Sequence, residues 1–293
     1  MRPFKIGCAP IAWNNEDLQD LRPRVPYTQV LDDIQAAGYT GTELGDGFPR
    51  DPGELKRALD ERGLVMPSAW CGLDLGDSDL DKTRRLCGLL AEVGASFVNL
   101  AHQGTPERRA WAGRASDPRC PRLSHAEWNG FAERVSQAAA IARAAGLQAA
   151  FHLHVGTWVE TRAELDELLR RTDPGLVKLC WDVGHALYAG LDPLEVVQHC
   201  AERVAYVHLK DVDGGVLAGL VRDQAGFEAG IRRRVFTELG RGMLDLVGLL
   251  DGLRAIGYTG WLMVEQDSSW LEPAESARIS RAAFLTLRHG AAQ

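Results

Sequence analysis

The feature that most constrains this chain is an alternation that runs from end to end. Eight short apolar runs rich in β-formers, at residues 5–9, 41–44, 64–70, 97–101, 147–154, 177–182, 204–209 and 261–265, are separated by longer stretches of helical pattern. Most of the runs are continuously apolar. Strands of a parallel sheet covered on both faces read this way, whereas a sheet with one wet face alternates residue by residue.

The helical stretches carry their own boundaries. Residues 27–37 follow Pro26 and stop before Gly38; Asp51-Pro52 opens a helix that Gly63 closes; residues 80–93 stop before Gly94. Ser124 and Glu127 form a capping box that starts a helix ending at 145, before Gly146. Further helices are expected at 161–171, 193–200, 243–256 and 272–288. The phrase helix, Gly, short turn, strand recurs, as in Ala-Ala-Gly-Tyr-Thr-Gly-Thr at 36–42 and Ile-Gly-Tyr-Thr-Gly-Trp at 256–261. Eight βα units in one chain predict an α/β protein with a single (β/α)8 TIM barrel domain over 1–293. No linker divides the 293 residues, and 45% hydrophobic content fills one core of that size. Two connections, 103–123 and 211–242, are long. Both follow strands, on the face where barrels of this kind keep their sites.

Composition excludes several partners. The net charge of −7 disfavours nucleic acid, which needs a basic footprint. No apolar run reaches 18 residues, and the N-terminal residues pass directly into a strand pattern, so no membrane partner and a cytoplasmic setting are expected. The six cysteines include no C-x-x-C pair and read as reduced thiols, with Cys8 and Cys180 in apolar runs as small buried hydrophobes.

Polar residues gather where the runs end. Five of the eight histidines, His102, His152, His154, His185 and His208, fall at these ends. Each has a bland reading: Glu265 could pair with a lysine, Asp182 could cap the next helix, and His208 could be a satisfied core residue. Taken together, Asp182, His208 and Glu265 end three consecutive strands and can converge at the barrel mouth. With a further ligand from the fifth strand they fit Mn²⁺, Co²⁺ or Zn²⁺. His152 and His154 lie two apart, hence on one face, and either can be that ligand. His185 can reach the ligand or substrate, or orient Asp182. Lys210, two after His208, can stabilise an oxyanion or form an ion pair. Trp13, Trp70 and Trp158 follow strands and can stack on sugar C–H faces or pack the core. Arg232-Arg233-Arg234 reads as a solvated loop or an oligomer contact rather than a phosphate clamp.

The pattern Asp182-Val-Gly-His185, His208-Leu-Lys-Asp211 and Glu265 resembles the xylose-isomerase-like barrel superfamily, over the whole chain. That group's usual metal set is Glu, Asp, His and Glu from strands 5 to 8, and His152 stands here in place of the first Glu. Within the group, several segments resemble the inosose dehydratase family: residues 9–17, 38–52, His152-Leu-His154-Val-Gly-Thr157, the stretch around Glu238, and Val264-Glu265-Gln266-Asp267. The resemblance implies a metal-dependent hydro-lyase of inositol catabolism that removes water from 2-keto-myo-inositol (scyllo-inosose). It implies Mn²⁺ or Co²⁺ on His152, Asp182, His208 and Glu265, with Glu43 or His154 as base and His185 or Lys210 as acid. Trp13, His102, Gln103, Thr157 and Glu238 are then expected to contact the substrate, a small polyhydroxylated ketone, and a homodimer is expected. The alternative within the fold is a sugar isomerase or epimerase on the same metal. A repair nuclease of the endonuclease IV type is disfavoured by the acidic balance.

Overall fold

The computed structural model describes residues 4–76 and 78–290. The expectation about the start of the chain falls partly on residues 1–3, outside the described residues. Nine strands form among the described residues: β1 (Lys5–Cys8), β2 (Trp70–Leu73), β3 (Phe97–His102), β4 (Gln148–His152), β5 (Val177–Asp182), β6 (Val204–Leu209), β7 (Asp211–Val212), β8 (Phe236–Thr237) and β9 (Trp261–Val264). Seven of them make a parallel sheet in the order β1-β9-β6-β5-β4-β3-β2. The eighth stave closes the ring. Gly41 bridges Gly7 on one side and Val65 on the other, with Cys8 N donating to Gly41 O (3.0 Å) and Thr42 N to Val65 O (2.9 Å).

This stave is a single bridge, not the four-residue strand expected at 41–44, and packing explains it. A Cβ at Gly41 would lie 2.6 Å from the Trp261 ring and 3.0 Å from Val65 O. Glycine there lets Trp261 fill the end of the barrel. The third expected run, 64–70, is also redistributed. Val65 pairs with the Gly41 side, while the regular ladder with β3 begins only at Trp70. Pro67 lies between and has no N–H to give a ladder, although its carbonyl accepts from Phe97 N at 2.9 Å.

Inside the barrel, Ala9, Ala150, Cys180, Tyr206, Trp261 and Met263 form a small apolar plug. Outside it, a far larger cluster joins the strands to the surrounding helices. The helix signals hold to within a few residues: Pro52–Asp60 is capped by Asp51, and His125–Ala144 starts at the full Ser124/Glu127 capping box. Each long connection contains structure of its own. The first holds a short helix, Pro106–Arg109. The second holds helices Gly214–Arg222 and Phe227–Arg232 and the antiparallel pair β7–β8. The six cysteines are buried and unpaired. No helix among the described residues is long and apolar enough to cross a membrane.

Candidate active site

Parallel register brings the polar strand ends together. Asp182 stands opposite His208 on the neighbouring strand, and Glu265 N donates to Leu209 O (3.0 Å), so the fourth corner is tied to β6. One nitrogen or carboxylate oxygen from each of His152, Asp182, His208 and Glu265 lies within 4.8 Å of the others. His152 Nε2 is 3.3 Å from Asp182 Oδ2, and His208 Nδ1 is 2.9 Å from Glu265 Oε2. Asp182 has the capping role and also faces the cluster. Oδ1 caps the helix Val183–Tyr188 by accepting from His185 N (2.7 Å), and Oδ2 faces the cluster.

The donor set fits a divalent cation. Asp182 Oδ2, both ring nitrogens of His152 and His208 Nδ1 are buried without an aligned hydrogen bond. Leaving such groups unsatisfied costs on the order of 1–3 kcal/mol each. A cation taking a lone pair from Asp182 Oδ2, from His208 Nδ1 and from one ring nitrogen of His152 removes that cost at those three atoms. Two imidazoles and two carboxylates suit borderline ions such as Mn²⁺, Co²⁺ or Zn²⁺.

Lys210 Nζ enters the same cluster, 2.9 Å from Glu265 Oε2, 3.0 Å from Asp267 Oδ1 and 3.4 Å from Asp182 Oδ2. Its burial disfavours the ammonium, but Asp182, Asp267 and Glu265 outweigh that and hold its pKa well above the ordinary lysine value. Asp267 is pushed up to about 7 by burial and by Glu265, in spite of Lys210. His208 is buried too, yet Cys180 and the carboxylates of Glu43 and Glu265 raise its pKa well above the ordinary range.

His154 and His185 are neutral. Burial, then His152 and Lys210, lower His154 to about 3; burial, then His154 and Lys210, hold His185 well below the usual value. Their hydrogen bonds fix the tautomers. His154 Nδ1 lies 2.7 Å from Val155 O, which can only accept, so Nδ1 carries the proton and Nε2 is bare. His185 Nε2 lies 3.3 Å from the Lys210 ammonium, which can only donate, so Nε2 is the acceptor there.

Above the cluster is a cavity of about 240 Å³. His152, His154, His185, Lys210, Glu265 and Asp267 line it from below the mouth, joined by Trp70, His102, Gln103 and Arg109. His102 Nδ1 accepts from Gly104 N (3.1 Å), which leaves Nε2–H free to donate.

Other expected contacts lie elsewhere. Glu43 is 5% exposed and does not line the cavity; its Oε1 accepts from Asn99 Nδ2 (2.9 Å) and faces His208 Nε2 (3.2 Å). Trp13 is buried, with Nε1 donating to Asp33 Oδ2 (2.8 Å). Thr157 Oγ1 donates to His154 O (2.8 Å), so it shapes the His154 loop from behind. Glu238 accepts from Ser269, Ser276 and Gln266 in its own buried network. None of these three lines the cavity. The Arg232–Arg234 run is spent on Asp20, Glu228, Asp223 and Ser269 O, in keeping with a solvated loop.

Three participants escaped the sequence reading. Asn99 lies in β3 and Asp267 just beyond β9, and only geometry gives them partners. Arg109 lay in an apparent loop; the Thr105-Pro106 pair, an N-cap followed by Pro at N1, was the available signal for the helix that carries it.

Comparison with known proteins now bears on this geometry. Residues 31–287 match the model of the xylose isomerase-like TIM barrel. The chain belongs to this family. Among curated relatives it is 34% identical over 290 residues to an inosose dehydratase of Geobacillus kaustophilus, covering 96% of this chain and 94% of that one. It is also 34% identical to an inosose dehydratase of Lacticaseibacillus casei over 280 residues, 94% of each chain. Among solved structures, the IOLI protein with a bound zinc atom superposes with a TM-score of 0.74 at 14% identity, over 97% of this chain and 98% of that one. At that identity the superposition speaks for the barrel fold alone.

Proposed function

We propose that the chain is a hydro-lyase that removes water from a cyclic keto-polyol, 2-keto-myo-inositol. His152, Asp182, His208 and Glu265 would hold a divalent cation, Mn²⁺ or Co²⁺ first, with Zn²⁺ also compatible. When bound, such a cation supplies Lewis acidity towards the ketone and a neighbouring hydroxyl, and so acidifies the carbon-bound proton beside the ketone.

The chain's own groups supply the proton traffic. His154, which lines the cavity and has its Nε2 bare, takes the proton from the carbon next to the ketone. The electron pair left on that carbon forms the C=C bond as the β-hydroxyl departs. Lys210 Nζ, a buried ammonium, donates the proton with which that hydroxyl leaves as water. His185 receives a hydrogen bond from Lys210 and holds the ammonium in place. Glu43 lies off the cavity and His185 Nε2 is occupied as an acceptor. Of the expected bases and acids, His154 and Lys210 are therefore the pair proposed.

The observation that carries the reading is His154. Its tautomer is fixed by Val155 O, and it sits beside the His152 corner within the segment that resembles the dehydratases. The curated relatives named inosose dehydratase support the same substrate.

The test is direct. Protein stripped of metal and reloaded with Mn²⁺ or Co²⁺ is given 2-keto-myo-inositol. Dione absorbance should appear with loaded wild-type protein, and not with Asp182→Ala. No product with any metal, together with epimerisation of a ketose, would overturn the proposal.

A further inference from the structure

Glu43 is a buried carboxylate that touches neither the cavity nor any arginine or lysine among the described residues. The ring it does face is that of His208. Glu43 Oε1 lies 3.2 Å from His208 Nε2, while the other ring nitrogen, Nδ1, looks the opposite way, 2.9 Å from Glu265 Oε2 and 3.7 Å from Asp182 Oδ2. Asn99 Nδ2 lies 3.4 Å from His208 Nε2 but only 2.9 Å from Glu43 Oε1, so the carboxylate oxygen is the shorter partner of both nitrogens and receives the Asn99 hydrogen bond.

From this arrangement we infer that Glu43 is a positioning residue for the metal centre: it accepts the Nε2 proton of His208 and so presents Nδ1 as the ligating nitrogen. The inference rests on the metal site proposed above. An imidazole that gives one nitrogen's lone pair to a cation keeps its proton on the other, and a carboxylate accepting that proton fixes the tautomer and strengthens the ligand. Glu43 sits where that acceptor has to be. Asn99 completes the set, since its amide can only donate from Nδ2. The result is a chain Asn99–Glu43–His208 that crosses from β3, through the Gly41 stave, to β6, and ends on the cluster.

The inference separates Glu43 from a role in proton transfer, and the two roles behave differently when metal is raised. Weakened uptake is repaired by excess metal, whereas a missing base is not. The experiment titrates Co²⁺ into metal-free wild type and Glu43→Gln by calorimetry, with the Co²⁺ d–d absorption as a second signal and far-UV circular dichroism to check the fold. The expected result is a Kd for Co²⁺ weakened about 10–100-fold, with an altered d–d spectrum. At saturating Co²⁺ most of the turnover should return. Co²⁺ affinity equal to wild type, with turnover lost at every Co²⁺ concentration, would mark Glu43 as the base and overturn the inference. Should Glu43→Gln not fold, Asn99→Ala decides: a several-fold weaker Co²⁺ affinity supports the inference, and an unchanged one refutes it. Wild-type protein that takes up no Co²⁺ would remove the proposed metal centre, and this inference with it. Wild-type uptake with no loss in the variants would remove only the inference.

Discussion

His154 and His185 lie almost face to face, with ring centroids 3.8 Å apart and planes inclined by 35°. Two imidazoles this close cannot both carry charge, and desolvation lowers the His154 pKa to about 3. If His154 is the base, His154→Gln should lower kcat by about 10²–10⁴-fold and leave Co²⁺ affinity unchanged. The pH profile is a second check. A base that stays unprotonated through neutrality gives kcat/KM with no acid limb near the ordinary histidine value. A limb centred at about 6.5 would contradict the assignment.

Arg109 and Asp17 face each other across the cavity rim, Nη2 to Oδ1 3.3 Å, while Arg109 Nη2 also donates to Gln103 O at 2.7 Å. Both residues are partly exposed, so the pair should contribute only about 0–1 kcal/mol to stability. Its expected effect is on substrate. Arg109→Ala should raise KM about 10-fold or more, the scale of a lost charged hydrogen bond, with a melting temperature close to wild type. A large fall in melting temperature with KM unchanged would make the pair a structural tie.

The ring and the convergence of Asp182, His208 and Glu265 were legible because the two signals coincide. Continuous apolar runs end in Asp182, His208 and Glu265, and register then forces those ends together. What the residues left hidden was direction. A motif that includes Trp13, Thr157 and Glu238 says that these positions matter, not where their side chains point. The 3₁₀ turn Pro10–Ala12 leads Trp13 to Asp33, and the turn at Gly156, with φ of 75°, puts Thr157 behind His154. Arg109 was hidden for another reason. Its stem packs on Gly104 and Gly156, from two different connections, and such a contact leaves no local pattern. The stave at Gly41 was misjudged in length because its partner Trp261 is 220 residues away in the chain.

Glu160 gives a prediction about stability. It is 1% exposed and accepts from Gly113 N (2.8 Å) and Gly156 N (2.5 Å), which ties the first long connection to the His154 loop. Burial pushes its pKa up to about 7, only partly offset by Gly156, Arg108 and Gly113. The folded state therefore binds this proton more tightly than the unfolded chain. The stabilisation is full below the ordinary carboxylate pKa of about 4.5 and is lost as pH rises through about 7, a change of roughly 3 kcal/mol. Urea melts at several pH values should show wild type losing stability relative to Glu160→Gln over that interval. A gap that does not change with pH would contradict it.

The proposed reaction itself is tested most directly by a comparison of substrates. Metal-reloaded wild-type protein is given 2-keto-myo-inositol and, separately, a panel of keto sugars, and kcat/KM is measured for loss of water and for epimerisation. The account predicts that dehydration of the cyclic ketone exceeds every epimerisation by at least about 100-fold, a difference of roughly 3 kcal/mol in transition-state stabilisation. Epimerisation of a keto sugar at equal or greater kcat/KM, without release of water from the inositol ketone, would contradict it.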